Sequence, residues 1–158
     1  MKKTFTVMAM VMALTLTAFT EAMSGGGWLY GADGESRANI GFQFDGQQQV
    51  IGGTYHDRGA TGERDGEFDF GHLRLRFTDV RFVREDLSDE GCIWAAVDYE
   101  SQDRRNRPGH GGLVLVACDN SDDAGKPDTV GMRVFSGPYL GYVHGGDLQG
   151  GNVIDQTK

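Results

Sequence analysis

The segment from residue 119 to 128 holds the densest group of side chains that could bind a metal ion. Calcium takes about six to eight hard oxygen ligands, and aspartates clustered on a turn supply several of them at once. The candidate ligands are Asp119, Asp122, Asp123 and Asp128. The spacing departs from an EF-hand loop, because Ala124 stands at the position of its glycine. Aspartate is also an ordinary turn residue, so the sequence favours a structural turn and leaves calcium binding as the alternative.

A second group of polar side chains lies at the predicted ends of two strands and could form a binding or hydrolytic site. It contains Tyr55, His56, Asp57, Tyr142 and His144. His56, Asp57 and His144 could act as acid–base groups if the fold brought them within hydrogen-bond reach. The four histidines show no zinc-ligand spacing, and no serine lies in a Gly-x-Ser-x-Gly context. We therefore assign no catalytic residue from the sequence.

Alternating carboxylates offer a weaker hydrolytic pattern. They are Glu63, Asp65, Glu67 and Asp69, which would share one face of a strand. Glycoside hydrolysis needs two carboxylates across a cleft, but any strand with this alternation meets the required separation. A solvated strand face is the simpler expectation.

Aromatic side chains could form a platform on which sugar rings stack. The candidates are Trp28, Tyr30, Tyr55, Tyr139 and Tyr142. Packing in the core or at a sheet edge is the simpler role for most of them. Trp94 is expected in the core, beside the cysteines.

Strands must position these side chains, because short alternating apolar runs and 25 glycines indicate β structure almost throughout. We predict an all-β fold, an antiparallel β-sandwich of roughly eight to nine strands, with a barrel as the alternative. In a regular strand Phe68 and Phe70 would face one side of the sheet and Leu73 the other, because even and odd positions alternate. This change predicts a β-bulge at Gly71-His72, since one inserted residue restores the apolar face.

The two cysteines, Cys92 and Cys118, lie at the start and the end of two strands predicted to form a hairpin. Antiparallel pairing would place them side by side. In an exported protein an even number of cysteines favours a disulfide. A pair of buried free thiols is the alternative.

The first 22 residues have the pattern of a secretory signal peptide. Lys2 and Lys3 precede an uncharged, mostly apolar stretch from residue 5 to 19, and small residues lie before Met23. This stretch is shorter than the about 20 residues that a membrane-spanning helix needs, which favours cleavage over a retained anchor. Cleavage leaves one domain, residues 23–158, exported to the periplasm or the extracellular space without membrane attachment. The glycines at 25–27 are expected to form a flexible leader.

The charge balance limits the partners. The chain has 15 basic and 23 acidic residues and a net charge of −8. This disfavours nucleic acid and anionic membranes, because phosphate binding needs concentrated lysine and arginine. Arg104, Arg105 and Arg107 form a basic cluster that is expected to be a solvated turn. An extracellular glycan or another protein remains as the expected partner.

Several short blocks occur in an order that is typical of one family. They lie at residues 25–28, 40–42, 53–57, 118–120, 125–128, 141–142 and 145–153. In these blocks the chain resembles the post-COAP type of small exported bacterial domains. The resemblance implies a secreted β domain and no particular activity. Ile154 follows Val153 where the family tends to close on a histidine, so a site that used that histidine would be absent here.

The sequence therefore predicts an exported β domain that acts as a non-enzymatic binding or structural module. The alternative function is a small secreted hydrolase with a His/Asp site. Calcium is the one cofactor that the residues suggest.

Overall fold

A computed structural model describes residues 22–45, 50–61, 69–85, 91–120 and 125–156. These residues form nine strands and no helix: β1 (Ala22–Tyr30), β2 (Arg37–Asp45), β3 (Val50–Thr61), β4 (Asp69–Glu85), β5 (Cys92–Ser101), β6 (His110–Cys118), β7 (Thr129–Val134), β8 (Val143–Asp147) and β9 (Gly150–Asp155). The predicted signal peptide lies outside the described residues, apart from Ala22. Within these ranges no helix is long and apolar enough to cross a membrane.

Hydrogen bonds join the nine described strands in one sheet, in the order β8-β7-β6-β5-β4-β3-β2-β1-β9. Consecutive strands from β1 to β8 pair antiparallel with one another, and β9 pairs with β1 rather than with β8. Only Leu148 and Gln149 connect β8 to β9, so the two edge strands are held close together and the sheet curls into a half-barrel. The predicted all-β antiparallel character and the strand number are confirmed. The sandwich prediction is corrected, because uninterrupted strand pairing produces one curled sheet rather than two separate sheets.

One apolar core fills the inner side of the curled sheet. Buried residues alternate with more exposed ones along β2 and β5, as expected for strands with one face in the core. Phe44, Leu75, Val97 and Leu115 are examples from four different strands that are almost completely buried.

A β-bulge lies in β4 at Phe70-Gly71, one residue before the predicted position Gly71-His72. Ala60 pairs with Gly71 and the next residue, Thr61, pairs with Asp69, so Phe70 is the extra residue. Gly71 has a φ of 60°, a left-handed conformation that glycine adopts without a steric cost. The bulge lets Phe70 and Leu73 both face the core despite their opposite parity.

Gly25, Gly26 and Gly27 lie in the middle of β1, so the prediction of a flexible leader is wrong. A Cβ atom on Gly25 would lie 2.9 Å from the ring of Phe42, and one on Gly27 would lie 2.2 Å from the carbonyl oxygen of Gly150. At Gly25 and Gly27 a side chain is excluded because the ring of Phe42 and the neighbouring strand β9 occupy its space.

The disulfide prediction is confirmed. Cys92 and Cys118 are directly paired residues of β5 and β6, with Cα atoms 4.0 Å apart and an S–S bond. Both are buried. The bond closes a segment with a sequence separation of 26 residues.

Replacing both cysteines by alanine is expected to lower the free energy of unfolding by roughly 3 kcal/mol, because the unfolded chain regains the freedom of this loop. Urea unfolding of the oxidised protein and of the double variant measures the difference. A reducing agent should destabilise the native protein and leave the double variant unchanged. Equal stability of the two proteins would contradict the prediction.

Candidate functional site

Strand β3 separates the predicted site residues between two environments. Tyr55 and Asp57 point into the core, whereas His56 and Arg58 lie on the outer face. This division follows from the period of two in a strand, which sends successive side chains to opposite sides. His56 and Asp57 therefore cannot act on one bound molecule, although they are adjacent in sequence.

On the inner side, Tyr55, Tyr142 and Asp57 form a buried chain of hydrogen bonds. The hydroxyl of Tyr142 donates to Oδ2 of Asp57 at 2.7 Å. Because the single proton of the Tyr142 hydroxyl is engaged with Asp57, the hydroxyl of Tyr55, 2.7 Å away, is the donor in its hydrogen bond to Tyr142. Burial raises the pKa of both tyrosines, which remain neutral donors.

The carboxylate of Asp57 also accepts two backbone hydrogen bonds. The amide of Ala32 donates to Oδ2 at 3.0 Å, and the amide of Gly59 donates to Oδ1 at 2.9 Å. Asp57 is 0% exposed. Its oxygens therefore hold the loop after β1 and the segment around Tyr142 against β3, and no ligand can reach them.

His144 lies at the junction of the sheet edges. Its Nε2 is 2.6 Å from the backbone carbonyl oxygen of Tyr30, to which it donates. Tyr30 lies beyond Trp28, the last residue of β1 that pairs with β9. His144 thus satisfies a carbonyl that strand pairing leaves open. The hydrolase alternative requires that His56, Asp57 and His144 meet, whereas His56 lies on the outer face, Asp57 is bonded to Tyr142 in the core and His144 is bonded to Tyr30.

The predicted metal ligands that the structure describes bind backbone amides. Oδ1 of Asp128 accepts from Asn120 at 2.8 Å, and Oδ2 accepts from Val153 at 2.7 Å. Oδ2 of Asp119 accepts from Asp155 at 3.0 Å. Val153 and Asp155 belong to β9, and these amides point away from β1. The two carboxylates therefore accept hydrogen bonds from the backbone N–H groups on the free edge of β9, where a further strand would otherwise pair.

Asp122 and Asp123 lie outside the described residues, as do Glu63, Asp65 and Glu67. Asp69 is the first residue of β4. The described part of the chain contains no group of three or more His, Cys, Asp or Glu that could hold a metal ion. Calcium binding at residues 119–128 stays a prediction.

The aromatic candidates divide into core and surface residues. Tyr55, Tyr139 and Tyr142 are buried, whereas Tyr30 is 52% exposed and Trp28 is half-buried on the outer face. Trp94 is 45% exposed, so the prediction of a core position is wrong. It has the opposite parity to the core residues Ile93 and Ala95, and therefore points outward.

Trp28 and Tyr30 are part of a larger group on the outer face of β1 to β4, which we call the cation–aromatic face. Its members are Trp28, Tyr30, Arg37, Asn39, His56, Arg58, His72 and Arg74. Strand pairing sets Trp28, Asn39, His56 and Arg74 in one row across four strands. The guanidinium of Arg37 lies 4.6 Å above the ring of Trp28, and the rings of Trp28 and Tyr30 are 5.8 Å apart.

The cation–aromatic face carries positive charge. The carboxylates on the outer face of β5 are engaged, since Glu100 pairs with Arg76 and Asp98 with Arg81. Among the described residues, Arg58 and Arg74 have no ion-pair partner. Burial, followed by Arg74, Arg58 and His72, lowers the pKa of His56. The rings of His56 and His72 are 6.0 Å apart.

The basic cluster at 104–107 lies in a turn, as predicted. Asp103 accepts hydrogen bonds from the amides of Arg105 and Asn106. Arg107 differs from its neighbours, because its guanidinium lies 4.9 Å over the ring of Phe70 and donates to the carbonyl oxygen of Pro138. It covers one end of the core.

We expect acidification to destabilise the protein and His56→Gln to reduce this effect. The folded state lowers the pKa of His56, so between that value and the ordinary value of about 6.5 the unfolded chain binds a proton that the folded chain does not. The stability associated with neutral His56 is present above this range and is lost as the pH falls through it. Thermal melts at about pH 7.5 and about pH 5 measure the loss. His110→Gln, an exposed control on β6, should keep the native response. An equal loss in His56→Gln would contradict the prediction.

The arginines of the cation–aromatic face were not among the residues predicted from the sequence. The sequence does contain a pattern that indicates them. His56 and Arg58 alternate with buried residues in β3, as do His72, Arg74 and Arg76 in β4. Two neighbouring strands thus carry basic groups at their outward positions. Arg37 could be assigned only from the β1–β2 pairing, which sets it opposite Tyr30 and lets its guanidinium lie over Trp28.

Comparison of the chain with protein-family models, curated proteins and solved structures gives no match. The resemblance to the post-COAP type of domains stays a prediction.

Proposed function

We propose that this chain is an exported, non-enzymatic binding domain and that the cation–aromatic face binds a glycan. The observation that carries the proposal is the arrangement of Trp28, Arg37 and Tyr30. Of the five aromatic candidates, the two on β1 are outside the core, and they lie next to each other. The guanidinium of Arg37 is layered on Trp28, and the ring of Tyr30 is half-exposed beside it.

This arrangement suits a sugar chain. A half-exposed aromatic ring and a planar guanidinium provide flat surfaces for the C–H faces of sugar rings. Asn39, next to Trp28 in the row, carries an amide that can both donate to and accept from hydroxyl groups. The interior is less suitable, since the gap lined by Leu29, Ile40 and Met132 has no room for a water-sized molecule.

Two observations support export. The buried Cys92–Cys118 disulfide is compatible with an oxidising compartment, and the sequence predicts a signal peptide before Met23. The proposed membership of the post-COAP type of secreted domains agrees with both. The hydrolase alternative has less support, because Asp57 and His56 face opposite sides of β3.

A glycan array probed with the purified protein tests the proposal. We expect binding to a limited set of glycans and a loss of about tenfold or more in Tyr30→Ala and Arg37→Gln. Trp94→Ala is the matched control, because it removes an exposed aromatic ring from β5. It should bind like the native protein. Absence of binding to every glycan, or an equal loss in the control, would overturn the proposal.

A further inference from the structure

The cation–aromatic face is more basic than the chain as a whole. Arg37, Arg58 and Arg74 lie on it, with His72 exposed and His56 half-buried among them. The complete sequence has a net charge of −8. Positive charge on one side of an acidic protein creates a local potential that attracts anions to that side, while the remaining surface repels them.

No carboxylate of the described residues forms an ion pair with Arg58 or Arg74. Glu100 and Asp98, on the adjacent strand, are occupied by Arg76 and Arg81. Asp33, in the loop after β1, is a charged carboxylate, but its hydrogen bonds come from the amides of Glu35 and Ser36 and from the hydroxyl of Ser36 rather than from an arginine. Arg58 and Arg74 are thus available for a ligand as far as the described residues determine.

We infer that the glycan bound by this face is an acidic polysaccharide whose sugar rings carry carboxylates. The inference rests on the proposed function and names the class of its ligand. Sugar rings contact Tyr30 and the guanidinium of Arg37, and ring carboxylates contact Arg58 and Arg74. A guanidinium presents paired N–H donors in the geometry of a carboxylate, which favours this anion as the partner.

The dimensions of the face suit a polymer rather than a single small anion. Trp28 and Arg74 are separated by three strand spacings, because Asn39 and His56 lie between them. Three spacings amount to about 14 Å. A chain running across the strands therefore meets the aromatic residues at one end and Arg74 at the other. Asn39 lies between them in the same row, where its amide can contact the hydroxyl groups of the sugar chain.

Binding of polygalacturonate, compared with its fully methyl-esterified form, tests the inference. The two polymers have the same sugar backbone, and esterification replaces each carboxylate by an uncharged methyl ester. We expect the native protein to bind the free acid at least about tenfold more tightly, and to bind it more weakly as salt is raised. Arg58→Gln/Arg74→Gln should abolish this preference. Arg105→Gln, an exposed arginine in the 102–109 loop, should retain it. Melting temperatures near the native value will show that the variants are folded.

The outcomes separate the two proposals. Equal binding of both polymers, lost in Tyr30→Ala, would overturn the acidic ligand and leave the glycan-binding function supported. A single-stranded DNA oligonucleotide serves as a charged polymer without carboxylates. Binding of DNA as tightly as the free acid would overturn the inference, since it would show attraction to charge alone. Binding of neither polymer at low salt would overturn it as well, and the glycan array would then decide the proposed function by itself.

Discussion

Replacing Asp57 by alanine is expected to lower the free energy of unfolding by about 4 kcal/mol. The change removes the acceptor of three hydrogen bonds, from Tyr142, Ala32 and Gly59, in a position without access to water. Each buried donor left without a partner costs about 1–3 kcal/mol, and the lost side chain also leaves a cavity. Much of the stability of an ordinary domain, about 5–15 kcal/mol, would be lost. Chemical denaturation monitored by tyrosine and tryptophan fluorescence measures the effect.

Two further variants divide the contribution of this network. Tyr142→Phe removes one donor to Asp57 and the acceptor of Tyr55, so we expect a smaller loss of about 1–2 kcal/mol. Asp147→Ala, an exposed aspartate on β8, is the control and should change stability by less than about 0.5 kcal/mol. A loss in Asp57→Ala no larger than that of the control would contradict the importance of the network.

Replacing Asp128 by alanine is expected to cost about 3–4 kcal/mol and to loosen β9. The amides of Val153 and Asn120 both lose a charged acceptor, and hydrogen bonds to charged groups contribute about 1.5–3 kcal/mol each. Hydrogen exchange should show faster exchange of the amides of β9 than of β5. Denaturation gives the change in stability, and Asp128→Asn should recover part of it, because its amide oxygen can accept one of the two bonds.

Asn152→Ala is the control for this substitution, since Asn152 is exposed on the same strand. Unchanged protection of β9 in Asp128→Ala would contradict the assignment of Asp128 to the strand edge. A chelator provides a separate test of the calcium prediction. If calcium bound at residues 119–128 contributes to stability, the chelator should lower the melting temperature of the native protein. The carboxylate of Asp128 would then have a role in metal binding.

Alternation of residue types was sufficient to predict much of the fold. It gave the all-β class, the number of strands, the bulge near Gly71 and the pairing of Cys92 with Cys118, because each depends on residues within one strand or one hairpin. The curled single sheet could not be predicted in this way. It depends on the pairing of β9 with β1, a contact between the two ends of the described chain.

The candidate site was less predictable for the same reason. The sequence marks Tyr55, Asp57 and Tyr142 as polar groups near strand ends, but only the tertiary fold shows that they bond to each other inside the core. Asp119 and Asp128 have the composition of a metal-binding turn, and their actual contacts are amides of a distant strand. Trp28 and Tyr30 were identified as aromatic candidates, whereas their basic neighbours required strand pairing.

The β1–β9 pair also affects how the protein folds. Ser24 on β1 and Gln156, just after β9, are in contact across a sequence separation of 132 residues. Closure of so long a loop is entropically costly and slow. One edge of β1 therefore stays unpaired until β9 has been synthesised and joins the sheet. An unpaired edge is a template for aggregation. The glycines at 25–27 make this edge a poor one, because glycine has a low preference for β structure and offers no side chain for a foreign strand to pack against. The glycines therefore disfavour pairing of β1 with another chain while β9 has not yet joined the sheet.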